Sequence, residues 1–263
     1  MSENIIFETE SEYSQIQVVD KGHRRYLYFI DNQGSRIVES IIDRNDLKKS
    51  AMNYSAFMLS SFLVRGGQQR VLLVGLGGGS LFHLVQRCQK VPEIEVVEID
   101  PVIVDISRKY FFIEENEKQH IINSDGFTYI HNSDNEIYDA IYLDAYLKPG
   151  TSSDSAGYPL NQKTLDYLKT VRSKLVKDGV VVINLNSLPT LHRDLKLFRK
   201  VFAEVFVFEE PVYGNIIIVA TKTATGLTIK DIKSRGRILD SKNPCSFSFL
   251  KQANQFKPLS RYE

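Results

Sequence analysis

From residue 70 onward, short, mostly apolar runs alternate with longer amphipathic stretches. The runs lie over 71–74, 94–99, 120–122, 138–143, 180–185, 205–208 and 216–220, and their length and β-branched content predict strands. Between the first two, Leu81, Leu84, Val85 and Cys88 recur at i, i+3, i+4 and i+7, the spacing of one helix face. Asp100 followed by Pro101 predicts a capped helix start after the second run. Further helices are predicted over 162–176 and 190–202. Strands without polar alternation are buried on both faces, so the pattern predicts an α/β fold: a mostly parallel sheet covered by helices on both sides.

The first fifty residues follow a different pattern. "SQIQVVD" and "RRYLYFI" are β-rich, and "DNQG" predicts a turn into "SRIVESII". A helix is predicted over 50–64 with Ser50 as its N-cap, and "RGGQQ" over 65–69 breaks it. Three units are expected: a small β domain over 1–49, the α/β domain over 50–225, and a more polar helix and tail over 226–263.

Composition narrows the function classes. A chain of 263 residues with 43% apolar and 25% charged residues is ordinary globular material. Its formal charge is +1 with Lys and Arg scattered, which argues against a nucleic-acid or membrane partner. No basic segment precedes a long apolar core at the N-terminus, and no apolar run nears the ~20 residues that span a bilayer. A soluble, cytoplasmic protein is expected. Cys88 and Cys245 are too few and too distant for a disulfide framework or metal knuckle, and Cys88 is expected to be a buried thiol. The five histidines show no ligand-like spacing, so no metal is expected.

Three stretches at predicted strand ends carry candidate chemistry. Gly75, Gly77, Gly78 and Gly79 form a bend whose missing β-carbons let backbone approach a ligand. Glu98 closes the next strand 23 residues after Gly75, where an acid suits paired hydrogen bonds to ribose hydroxyls. Asp125, with Gly126 after it, ends the third strand, where a carboxylate either accepts from an adenine amino group or caps a helix. The three in order favour an adenosyl ligand. Ser80 stands where a dinucleotide G-x-G-x-x-G motif has its last glycine, and nothing else points to a pyrophosphate.

"VLLVGLGGGSL", "VVEIDPVIVDISRKYF", "NSDGFTYI", "YDAIYLDAY" and "LVKDGVVVINL" together resemble the spermidine synthase (polyamine aminopropyltransferase) family. The resemblance extends to "SEYSQIQVVD" and "PVYGNIIIVATK", covering about residues 10 to 222. It implies a class I methyltransferase-like Rossmann fold with a seven-stranded, mostly parallel sheet, a small N-terminal β domain, and a homodimer or homotetramer. It also implies transfer of an aminopropyl group from decarboxylated S-adenosylmethionine to a small amine such as putrescine. By that similarity Glu98 holds the ribose, Asp125 the adenine amino group, Ile99 and Gly126 also bind the cofactor, and Asp144 acts on the acceptor amine. Tyr54, Ala145, Tyr146 and Tyr213 match positions around the acceptor.

The sequence also departs from that pattern. The family carries an acid inside its glycine loop, and Gly78 stands at that position. Leu147 replaces a second acid after the fourth strand, and Ser14, beside Gln15, replaces a glutamine. A loop acid pairs with the ammonium of a decarboxylated donor and repels the carboxylate of intact S-adenosylmethionine. Its loss therefore admits a methyltransferase using the intact donor, or a non-catalytic protein that binds an adenosyl metabolite. Asp154, ten residues beyond Asp144, is a candidate to fold back and supply an acceptor contact.

Overall fold

The computed structural model describes residues 3–31, 33–49, 51–146, 151–154, 157–185, 189–242 and 245–262. Strands β1 (Glu3–Glu10), β2 (Gln15–Lys21), β3 (Arg24–Ile30) and β4 (Arg36–Asp43) pair in chain order as an antiparallel sheet. Ile16, Val18, Leu27 and Ile42 on its inner face pack against Ile103, Ile106 and Phe111 of the second sheet's helical layer. That contact seats the N-terminal sheet over the carboxyl ends of the parallel strands.

Helices α1 (Asn53–Met58) and α2 (Ser61–Val64) lead into the larger sheet. Its strands are β5 (Arg70–Val74), β6 (Glu93–Glu98), β7 (Gln119–Asn123), β8 (Tyr138–Leu143), β9 (Leu175–Leu185), β10 (Glu204–Glu209), β11 (Ile216–Thr221) and β12 (Phe256–Lys257). Their order is β12-β10-β11-β9-β8-β5-β6-β7, with β5 to β9 parallel and β11 antiparallel to both its neighbours. Interleaved helices are α3 (Ser80–His83), α4 (Pro101–Tyr110), α5 (Gly126–Asn132), α6 (Leu165–Lys174) and α7 (Leu191–Val201). Helices α8 (Ile229–Asp240) and α9 (Phe249–Ala253) follow.

The continuous apolar runs have the cause the pattern implied. On β5, Val71 and Leu73 enter one core layer while Leu72 and Val74 enter the other. Val180 and Val182 divide from Val181 and Ile183 in the same way on β9. A strand buried on both faces has no polar side to display. Successive strands step outward from β5 on one side and then restart with β8 on the other, so the switch point lies between β5 and β8.

Several expectations need correction. The helix expected over 50–64 is two helices, broken at Leu59 and Ser60. Serine is a weak helix former, and the Ser61 hydroxyl is drawn into a 2.7 Å hydrogen bond with the Tyr142 hydroxyl. Ser50, its expected cap, lies outside the described residues. The helix expected over 162–176 starts at Leu165, because Thr164 takes extended backbone and caps it by accepting from the Tyr167 N–H. Residues 160–163 form a separate 3-10 turn, and 175–176 already belong to β9.

The larger sheet has eight strands among the described residues rather than seven, because Phe256 and Lys257 pair with the edge of β10. Two residues are too few to leave a periodic signal. The expected C-terminal helix is followed by α9 rather than by tail alone, and Asp240 anchors its start by accepting from the Phe249 N–H at 2.6 Å. Cys88 is not a free thiol. It is bonded to Cys245, with Cα atoms 5.8 Å apart across a separation of 157 residues. Among the described residues no helix is long and apolar enough to cross a membrane.

Candidate active site

A cavity of about 610 Å³ opens at the carboxyl ends of β5, β6 and β8, roofed by the N-terminal sheet. Gly75 sets its floor. Its φ of +96° is a left-handed conformation, and a β-carbon there would stand 2.8 Å from the carbonyl carbon of Asp144. The missing side chain lets the end of β8 close onto the glycine loop, where the Asp144 N–H donates to the Val74 carbonyl at 2.9 Å.

Glu98 reaches back under that loop. One carboxylate oxygen accepts from the Leu76 N–H at 2.9 Å and the other from the Asp100 N–H at 3.0 Å. Burial raises its pKa, while these backbone bonds pull the other way. The Gly77 N–H is a third backbone donor to this carboxylate, which still leaves it lone-pair capacity for a ligand hydroxyl. Asp125 caps α5, accepting from the Thr128 N–H at 2.9 Å and its hydroxyl at 2.7 Å. Both bonds fall on Oδ2, so capping and ligand binding are not exclusive. Ile99 and Gly126 also line the cavity.

Asp144 is the most perturbed acid. Burial pushes its pKa up to about 7, against hydrogen bonds from the Asn184 amide and the Tyr54 hydroxyl. Asn184 Nδ2 donates to Asp144 Oδ1 at 3.0 Å, and Asn184 Oδ1 accepts from Asn215 Nδ2 at 3.0 Å. The Tyr146 hydroxyl donates to the Asn184 carbonyl at 2.7 Å. Burial, then the charges of Asp144 and Glu39, holds the Tyr54 hydroxyl well above its usual range. Tyr54 is therefore a fixed donor across the cavity from β8.

The structure brings Gly75, Gly77, Glu98, Ile99, Asp125, Gly126, Tyr54, Asp144, Ala145 and Tyr146 to one cavity, with Ser14 at its rim. Gly78 and Gly79 sit behind its wall. The Gly78 N–H donates to the Ser40 hydroxyl at 2.8 Å, and a β-carbon on Gly78 would meet Phe111 and Ser40 at 2.8 Å. Tyr213 is not brought there: it is 73% exposed on the turn between β10 and β11. That turn is pinned by Glu210, which accepts from the Val212 and Tyr213 N–H groups.

Asp154 also stays away from the cavity wall. It pairs at 2.8 Å with Lys163, a cation it shares with Asp194, and accepts from the Tyr158 N–H. Leu147 lies outside the described residues.

Three residues escaped the sequence reading. Asn184 and Asn215 occur in apolar contexts with no motif around them. Glu39 sits in the run "RIVES", where alternation signals only an exposed strand, yet it lines the cavity. Its residue surface is partly open because it faces that space, but it lies deep enough that burial is the leading cause of a pKa of about 7. The charges of Asp144 and Glu98 add to that shift.

The model of the spermine/spermidine synthase domain matches residues 53–233, more than half of the chain. The chain belongs to the spermine/spermidine synthase family. A polyamine aminopropyltransferase of Vibrio vulnificus is 28% identical over 224 residues, covering 84% of this chain and 73% of that protein. The eEF1A lysine and N-terminal methyltransferase of Danio rerio is 34% identical over 154 residues, which is 56% of this chain and 21% of that larger protein.

The spermidine synthase solved in complex with the transition-state analogue AdoDATO shares the fold with a TM-score of 0.72 at 18% identity. It covers 97% of this chain and 85% of its own, so the likeness extends to the N-terminal sheet that the family model leaves unmatched. Within the spermine/spermidine synthase family this is a divergent member, with the β4 residue Ser40 packed against Gly78 of its glycine loop.

Proposed function

We propose that this protein is a transferase that moves an aminopropyl group from decarboxylated S-adenosylmethionine to a small amine such as putrescine, releasing methylthioadenosine. The observation that carries this reading is the charge of the cavity. Glu12, Glu39, Glu98, Asp100, Asp125 and Asp144 line it, and no Lys, Arg or His does among the described residues. Such a wall attracts a sulfonium and an ammonium, and it offers no cation to a carboxylate.

In this reading Glu98 holds the ribose and Asp125 the adenine amino group. The acceptor nitrogen attacks the carbon beside the sulfonium, the carbon–sulfur bond breaks, and its electron pair returns to sulfur. The ammonium proton must leave before attack, and Asp144 takes it. A carboxyl whose pKa is near 7 suits that work, because a large share of it is ionised at neutral pH and it is basic enough to accept a proton. Tyr54 and Asn184 orient it. The protein is proposed to act in the cytoplasm as a homodimer or homotetramer, with the N-terminal sheet a domain of its own up to residue 49 and the catalytic domain ending near 225.

A second reading has one specific support, the methyltransferase of Danio rerio among its relatives: methyl transfer from intact S-adenosylmethionine. Calorimetric titration with S-adenosylmethionine, its decarboxylated form and methylthioadenosine separates the two. Tighter binding of the decarboxylated donor than of the intact one is expected. The reverse preference would sink aminopropyl transfer, and failure of all three to bind would sink the adenosyl site.

A further inference from the structure

Glu39 is unusual among the cavity acids. Asp125 is engaged as a helix cap, Glu98 holds two backbone N–H groups, and Asp144 is held by Asn184 and Tyr54. Asp100 caps α4 through the Val102 N–H and accepts from Ser11 at 2.5 Å. Glu12 and Glu39 have neither an ion pair nor a hydrogen bond among the described residues, and of the two Glu12 is exposed to solvent while Glu39 is not. A deep carboxylate without a protein partner costs stability, so a fold that retains one reserves it for a ligand.

Its position is set by its neighbour. Ser40 follows it on β4 and accepts from the Gly78 N–H at 2.8 Å, which pins this end of β4 to the glycine loop. Ser40 pairs with Leu27 and Val38 with Tyr28, so Glu39 is the unpaired residue of a β-bulge, and it lines the cavity beside Ser40. The space beside Gly78 is filled by Ser40 and Phe111, so the loop itself has no room for an acid. The negative charge on this side of the cavity therefore comes from β4.

We infer that Glu39 is a specificity-determining residue that, opposite Asp144, receives the primary ammonium of an alkylamine substrate. The inference rests on the adenosyl-transferase reading above and names the group that the site selects. Two carboxylates around one ammonium each supply charge-assisted acceptors, and the alkyl chain passes between Tyr54 and Tyr146. The same chemistry is carried by the aminopropyl arm of the donor and by a diamine acceptor.

Calorimetry on the full chain and its Glu39→Gln variant tests it with four ligands. They are decarboxylated S-adenosylmethionine, methylthioadenosine, the dimethylsulfonium analogue of methylthioadenosine (a sulfonium with no ammonium), and putrescine titrated into enzyme saturated with methylthioadenosine. Methylthioadenosine is expected to bind both proteins within twofold. A loss of tenfold or more in the preference for decarboxylated donor over the sulfonium analogue assigns the donor ammonium to Glu39. A tenfold loss confined to putrescine assigns the acceptor's.

If neither changes, or if the sulfonium analogue weakens as much as the decarboxylated donor, the role of Glu39 is overturned while the adenosyl site stands. A wild-type chain that fails to bind methylthioadenosine overturns the underlying reading, and this inference with it. Glu39→Met, which keeps the stem and drops the charge, carries the same expectations should the glutamine variant fail to fold.

Discussion

The Asn184 side-chain amide, at the end of β9, donates to Asp144 Oδ1 at the end of the adjacent strand β8, at 3.0 Å. This bond steadies the ionised carboxylate in a buried position where desolvation alone favours the neutral acid. Asn184→Ala removes the donor and raises the Asp144 pKa further. The acidic limb of the kcat/KM profile is then expected to move to higher pH, with turnover at alkaline pH less affected. An unmoved limb would detach Asn184 from the chemistry.

Asp144→Asn removes the base and keeps the shape. Aminopropyl transfer is expected to fall by ~10²–10⁴-fold, the usual contribution of a positioned base, while methylthioadenosine binding is retained. Single-turnover assay beside calorimetry checks both halves.

The same variant carries a stability signature. Asp144 has a folded pKa of about 7 against an ordinary 3.8, so the folded state binds the proton more tightly than the unfolded chain. Its stability contribution is fully present below the unfolded value and is lost as pH rises through about 7. Asp144→Asn should therefore melt higher than wild type at pH 8, with the gap closing toward pH 4. Thermal melts across that range would refute the assignment if the gap were flat.

Gly78→Asp places an acid in the glycine loop. The new β-carbon would meet Phe111 and Ser40 at 2.8 Å, so the expected result is a lower melting temperature, with the loss ~1–3 kcal/mol as for other overpacked sites, and no tighter binding of decarboxylated donor. Improved donor affinity with an unchanged melting temperature would show that the loop has room.

The Cys88–Cys245 bond closes a loop of 157 residues and fastens the segment between α8 and α9 to the helical stretch that follows the glycine loop. A reducing compartment would hold the pair as neighbouring thiols, and an oxidising one as the disulfide. Reduction, or replacement of both cysteines by serine, is expected to cost ~2–4 kcal/mol, read from chemical denaturation. Equal stability in the oxidised and reduced forms would contradict that.

Much of this molecule is decided by local pattern. Strands buried on both faces demand mostly apolar runs, so β5, β6, β8, β9 and β11 are visible in the chain without any neighbour in view. Gly75, Glu98, Asp125 and Asp144 are equally legible, because in such a sheet the residues just past successive strands meet at one edge. Other features depend on which distant segments touch. Glu39 is a cavity acid only because β4 is pinned to the glycine loop through Ser40, and Asn184 and Asn215 join Asp144 only because β8, β9 and β11 are neighbours. The disulfide, the two-residue strand β12 and the outward placement of Tyr213 belong with them. Hydrophobic period reports which face of an element is buried but not what lies against it. That pairing, set by tertiary packing, put a second carboxylate opposite Asp144.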